Sequence, residues 1–276
     1  MNNFLEHAKL YRQTIQRLFF GCVLLILVYR FFSNSLIHQI GDAATVFPGR
    51  DFTSWILIFL KIPEFISGNR IVSILFDVFL FMSALGSLIF TKKRIFPIVF
   101  AALYFLYFLM FNLYSGHRYH GLGILFLSVP FLFQSKNLFS WLFACCRYYF
   151  LFILVSASLW KICRGTPWNV QHFSSILKAQ NLEFIVQYPE HFKTQLYFYL
   201  IENPGTAHAL WMGLIAMQFL FILGFLTYKL DRLLILFYLI FAVNAWLLMN
   251  IISFETSLFL LTLLPFAKIF GSKKSH

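Results

Sequence analysis

The chain alternates between long apolar runs and short polar punctuation. Eight runs stand out, at about 18–37, 71–90, 95–115, 121–133, 141–162, 208–228, 233–252 and 256–270. A helix needs about 20 apolar residues to cross the hydrocarbon of a bilayer, and most of these runs have that length. The pattern predicts an all-α, polytopic helical bundle of about eight transmembrane helices. The run at 121–133 is short, closing at Pro130 and Gln134, so it must be extended by its flanks or cross only in part. Between Arg50 and Ile62 the stretch SWILIFL is too short to span and reads as a helix lying in the interface. Residues 163–207 form the longest polar stretch. There Thr166-Pro167-Trp168, followed by Val170, Phe173, Ile176 and Leu177, predicts one short outer helix. A second should start at Pro189 and stop before Asn203-Pro204-Gly205. No internal repeat and no low-complexity tract interrupts this order.

Composition sharpens the picture. Of 276 residues 60% are apolar, 21% aromatic and 12% charged, with mean hydropathy +0.77. A soluble domain is nearer 25% charged, and a disordered chain lacks such apolar excess. The first run is long and has no small-residue exit, so it reads as a retained helix, not a cleaved signal. The net charge of +12 has a simple source in a membrane protein, where Lys and Arg gather in cytoplasmic loops, and nucleic acid is not an expected partner. With the N-terminus inside, inner segments hold Lys92, Lys93, Arg94, Lys229 and Arg232 among others. Arg50, Lys61, Arg70, Arg118, Arg164, Lys178 and Lys193 fall outside. Both termini are expected to be cytoplasmic, in a multi-pass protein of the cell (inner) membrane. The four cysteines show neither a CxxC nor a zinc spacing.

Charge inside a membrane is costly unless paired or hydrated, which singles out Arg30, Asp77, Arg147 and Lys161. On this topology Arg30, Asp77 and Lys161 lie in the outer half of the bilayer, with His117 and His120 flanking the outer end of the third run. Arg147, Ser158 and Lys161 share one helix face. Simpler roles stand beside these. Lys161 can snorkel to outer headgroups, Arg147 can snorkel inward or pair structurally, and Asp77 is expected to neutralise Arg30. His117 and His120 lack a third ligand nearby in sequence, so no metal is expected. Cys145 and Cys146 should pack as small apolar residues, leaving Cys163 as the exposed thiol.

Two segments resemble the membrane domain shared with vitamin K-dependent gamma-carboxylase, the HTTM domain family. SGHRYHGLGILFLSVPFLF (115–133) is similar to that family's His-x-Tyr, Gly and apolar run, with His117, Tyr119 and His120 at the start. FILVSASLWKICRGTPWNVQHFSSILKAQ (152–180) resembles its helix ending in Lys, followed by a polar link, Trp and an amphipathic helix. Lys161 and Trp168 take those places. A third, shorter similarity lies in 226–266, with a basic loop, a long span and an I-x-x-F pattern. The family often has Glu where Gln218 stands and His where Asn244 stands. The resemblance covers most of the chain in span order and implies that residues 1–276 form a single transmembrane domain. The carboxylase's large extramembrane substrate domain has no counterpart in it.

The resemblance implies that Lys161 is the base that starts hydroquinone oxidation and that His117 moves protons in the carbanion chemistry. It thereby implies a quinone or hydroquinone cofactor. An amine in a poorly hydrated site is a better base because its charged form is disfavoured, and Arg30 would act in the same sense. Trp160, with Tyr119, His120 and Trp168, would line the cofactor site by stacking and polar contact. Three functions stay open: a quinone-linked or carboxylase-like enzyme acting on a small-molecule or peptide substrate, a non-enzymatic maturation or export partner of a secreted peptide, and a transporter. The absence of paired broken helices in symmetric positions ranks the transporter last.

Overall fold

A computed structural model describes residues 2–40, 52–115, 122–249, 251 and 254–270. It is 85% helical, with no strand among the described residues. The chain opens with α1 (Asn2–Leu10), α2 (Arg12–Phe32), α3 (Ile37–Ile40), α4 (Phe52–Phe59) and α5 (Ile62–Ile66). Next come α6 (Arg70–Ile89), α7 (Ile95–Ser115), α8 (Leu122–Ser128) and the long α9 (Lys136–Cys163). After them follow α10 (His172–Gln187), α11 (Phe192–Glu202), α12 (Pro204–Phe219), α13 (Leu223–Leu226), α14 (Asp231–Met249), α15 (Phe254–Ser257) and α16 (Phe266–Phe270).

Among the described residues six stretches are long and apolar enough to cross a membrane: Arg12–Ile40, Arg70–Ile89, Ile95–Leu113, Lys136–Cys163, Pro204–Leu226 and Asp231–Met249. This is a multi-pass membrane protein. The two shortest apolar runs form the shorter helices Leu122–Leu132 and Phe254–Leu263, each passing from α to 3-10 geometry before it ends. Helices suit this solvent because every backbone bond closes within the segment. Large side chains stay uncovered by protein, among them Leu25 (71% exposed), Phe32 (77%) and Phe59 (85%). Lipid is the medium in which such surface costs nothing.

The chain divides into two compact units. The first holds residues 1–146, 254–262 and 266–276. In it α2 packs on α6, and α6 on α7. The buried face of α6 carries Ser83, Ala84, Gly86 and Ser87, small residues that let helices approach closely. Gly86 leaves its space to the Phe96 ring. The core is aromatic. Phe20 meets Phe19 and Phe100 edge-on at 4.9 and 5.3 Å, and Phe131 stacks on Phe19 at 5.5 Å. Asn69 caps α6 by accepting from the backbone N–H of Ile71 at 3.0 Å.

The second unit holds residues 147–253 and 263–265. Gly165, at φ +75°, turns the chain after α9. Two short helices form in this stretch, α10 and α11, each starting later than the sequence predicts. Pro167 opens only a 3-10 turn, Thr166–Trp168, and α10 begins at His172. The Thr166 hydroxyl bonds back to the Lys161 carbonyl at 3.0 Å instead of capping forward. Likewise α11 starts at Phe192, because the His191 Nδ1, not Pro189, caps it through the Lys193 N–H. It ends where Asn203-Pro204 predicts, since Pro204 opens α12. Phe173, Leu177, Tyr197, Leu200, Trp211 and Leu248 form the core here. The Tyr197 hydroxyl donates to the Leu247 carbonyl at 2.9 Å, and burial raises its pKa.

Candidate functional site

Arg30, Asp77 and Arg147 each have polar partners, and not the ones the sequence suggests. Arg30 does not pair with Asp77. Its guanidinium bonds Glu255 and the Tyr107 hydroxyl and lies over the Phe111 ring at 4.8 Å. Tyr107 in turn donates to the Ser35 carbonyl at 2.7 Å. Asp77 instead faces α3. It accepts from the backbone N–H of His38 at 2.9 Å and of Ile37 at 3.3 Å, and meets the His38 Nδ1 at 2.7 Å. The non-helical turn at Asn34, with φ 53°, brings α3 back onto α6 and supplies this partner locally. Both terminal nitrogens of Arg30 are thus engaged within a structural network.

Arg147 does not pair with Asp77 either. Fully buried, it forms a two-pronged bond to Asp231 at 2.8 and 2.9 Å and donates to the Gly224 carbonyl at 3.0 Å. Its guanidinium lies 4.4 Å from the Tyr228 ring centre, and Tyr228 shares a 2.8 Å hydrogen bond with Tyr148. Burial and that bond push Tyr228 up to about 12. Ser158, on the same face of α9, is buried and bonds the Val155 carbonyl. The cysteines also need a correction. All are free, but Cys145 as well as Cys163 is exposed, because Cys145 and the buried Cys146 point to different sides of α9.

Lys161 is the distinctive group. Half-buried at the end of α9, its Nζ donates to the Gln218 Oε1 at 2.5 Å and sits 5.0 Å from the Trp211 ring centre. Among the described residues no carboxylate pairs with it. Gln218 and Trp211 lie two turns apart on one face of α12, which is why one amine reaches both. Trp211 stacks on Phe173 at 5.0 Å and lies near His172 at 5.8 Å. Among the described residues, the buried Trp211 Nε1 and, one turn before it, the His208 Nδ1 have no hydrogen-bond partner.

No family model, no curated protein and no solved structure matches this chain.

The remaining sequence-predicted residues are scattered in what can be described. His117, Tyr119 and His120 lie outside the described residues. Trp160 is 60% exposed with the Arg164 guanidinium 4.6 Å from its ring centre, and Trp168 is 81% exposed. Asn244 bonds the Ile240 carbonyl one turn back at 2.8 Å. Sequence reading missed Trp211 and His208. A His and a Trp three apart, ten and seven residues before Gln218, were the available signal.

Proposed function

We propose that this is a membrane enzyme of the HTTM type, with residues 1–276 forming one such domain and Lys161 acting as its general base. Eight helices cross the inner membrane in this reading, the two shorter ones included. Both termini are cytoplasmic and 163–207 lies outside. The observation that carries it is the amine of Lys161, held by a neutral amide and an aromatic face beside two unsatisfied polar atoms.

The residues suit a quinol oxygen better than a stacked quinone ring. One face of Trp211 is taken by Phe173, and Lys161 also contacts the ring, while its indole N–H remains free. That N–H and His208, one turn before it, would hold the oxygen, and the neutral Lys161 amine would take its proton. A bound hydroquinone would supply the reducing chemistry. Peptide or small-molecule substrates enter this reading only through the family resemblance. His117 as proton carrier, and Arg30, Tyr119, His120, Trp160 and Trp168 as cofactor contacts, belong to the same proposal.

The second reading, a maturation or export partner of a secreted peptide, is favoured by exposed aromatics along 163–207: Trp168, Tyr188, Phe192 and Tyr199. Lys161→Arg separates the two, scored by the deletion phenotype. Guanidinium stays protonated and cannot act as a base, so the enzyme predicts loss in both Lys161→Ala and Lys161→Arg with the thermal midpoint nearly kept. Full function in Lys161→Arg rejects the base and leaves the partner reading.

A further inference from the structure

A cavity of about 480 Å³ with a basic lining opens in the first unit. Its walls include Lys9, Arg12, Lys92, Arg94 and Lys136, and no carboxylate. Among the described residues, Lys9 alone of these has an acidic partner, Glu6 at 2.7 Å. Arg12 is fixed in place by donating to the carbonyls of Gln134 and Phe133 at 2.6 and 2.5 Å. Gln16, almost fully buried, anchors the floor through the Ser87 carbonyl at 2.9 Å. The volume lies within the range of about 300–1,000 Å³ usual for small-molecule sites.

The backbone adds to this charge. Two long helices begin at the cavity, α7 immediately after Arg94 and α9 with Lys136 itself, whereas α2 follows α1 after the single residue Tyr11. Helix N-termini carry partial positive charge and favour acidic side chains. Neither of the two has an acidic residue in its first turn. Cations placed at two positive helix ends repel one another and the dipoles. An anion from outside the chain resolves that conflict, and phosphate is one that helix N-termini and arginine both bind well.

We propose that this cavity binds a phosphate-bearing anion, either a lipid headgroup or a free phosphate compound, independently of the Lys161 chemistry. The bias of basic residues toward cytoplasmic loops explains the count of charges. It does not gather them around one cavity at two helix ends. Basic pockets between membrane helices are suited to anionic headgroups.

The test is thermal stabilisation of the purified full chain in non-ionic detergent. It is titrated separately with inorganic pyrophosphate, with phosphatidylglycerol, and with phosphatidylcholine as the neutral control. One of the two anions should raise the midpoint and phosphatidylcholine should not. A response to pyrophosphate assigns a free phosphate compound, and a response to phosphatidylglycerol alone assigns a headgroup. Arg94→Gln/Lys136→Gln should raise the half-saturating concentration at least tenfold, about 1.4 kcal/mol. Arg17→Gln/Lys93→Gln removes two charges that do not line the cavity and should leave it unchanged within about twofold. If the first pair fails to fold, Lys92→Gln, at an exposed position, serves in its place with the same direction of effect. No anion response in the unmodified chain, or equal weakening in both double variants, overturns the proposal.

Discussion

Glu255 neutralises Arg30 across 225 positions of sequence, and both side chains are buried. Tyr107 completes the arrangement from α7. Removing one member of a buried ion pair strands the other charge, a loss of about 3–5 kcal/mol. Glu255→Ala should therefore lower the unfolding midpoint of the purified protein sharply. Glu255→Gln should lower it less, because the amide oxygen can still accept from Arg30. The double variant Arg30→Met/Glu255→Leu should recover much of the loss. Additive losses in the double would show that the two side chains do not depend on each other.

The same pair shows what a single sequence discloses. The apolar runs were legible because the need for about 20 apolar residues per crossing leaves a local signature. The helices after α9 were legible from proline and asparagine, with errors of a few residues where a histidine cap outranked a proline. Charge partners were not legible. Arg30, Asp77 and Arg147 announce a need for a counter-charge but say nothing of where it lies. Asp231 and Glu255 stand just outside the apolar runs, where a solvated carboxylate is ordinary, and only the fold turns them inward. Lys161 was visible as a lysine at a run's end. Its neighbours Trp211 and His208 looked like parts of an apolar helix.

Tyr228 gives the pH dependence a defined window. Its folded pKa of about 12 lies above the ordinary value of 10, so the unfolded chain loses this proton first. The stability it confers is complete below about pH 10 and is lost as pH rises through about 12. Tyr228→Phe should reduce the slope of unfolding midpoint against pH in that window while leaving neutral pH little changed. An unaltered alkaline slope would assign the effect to other groups.

The topology has a direct readout. Cys145 and Cys163 are both exposed, so labelling requires a background in which the native cysteines are replaced. Single cysteines introduced in 181–188 should react with a membrane-impermeant maleimide in intact cells. Those in 91–94 should react only after permeabilisation, because a short loop carrying Lys92, Lys93 and Arg94 is expected on the cytoplasmic side. Labelling of 91–94 in intact cells would invert the orientation and move the Lys161 cluster to the inner half of the membrane.

Gly224 couples backbone and packing in the second unit. Its carbonyl accepts from the Arg147 guanidinium at 3.0 Å, and its missing side chain makes room for a neighbour. A Cβ there would stand 2.6 Å from the Leu151 side chain and 2.9 Å from that of Leu234. Both leucines are fully buried, so neither can swing into solvent. Gly224→Ala should therefore cost about 1–3 kcal/mol as an overpacking change. Leu151→Ala alone should cost about 2–5 kcal/mol, because it opens a cavity. Combined, the new methyl group enters the space the leucine leaves, and the double variant should be less destabilised than the two losses added together. Residues in contact show such coupling at about 0.5 kcal/mol or more. Strict additivity in the unfolding midpoints would mean that α9 and this stretch do not touch where Leu151 meets Gly224. The carbonyl that anchors Arg147 would then have to be held in place by something other than that contact.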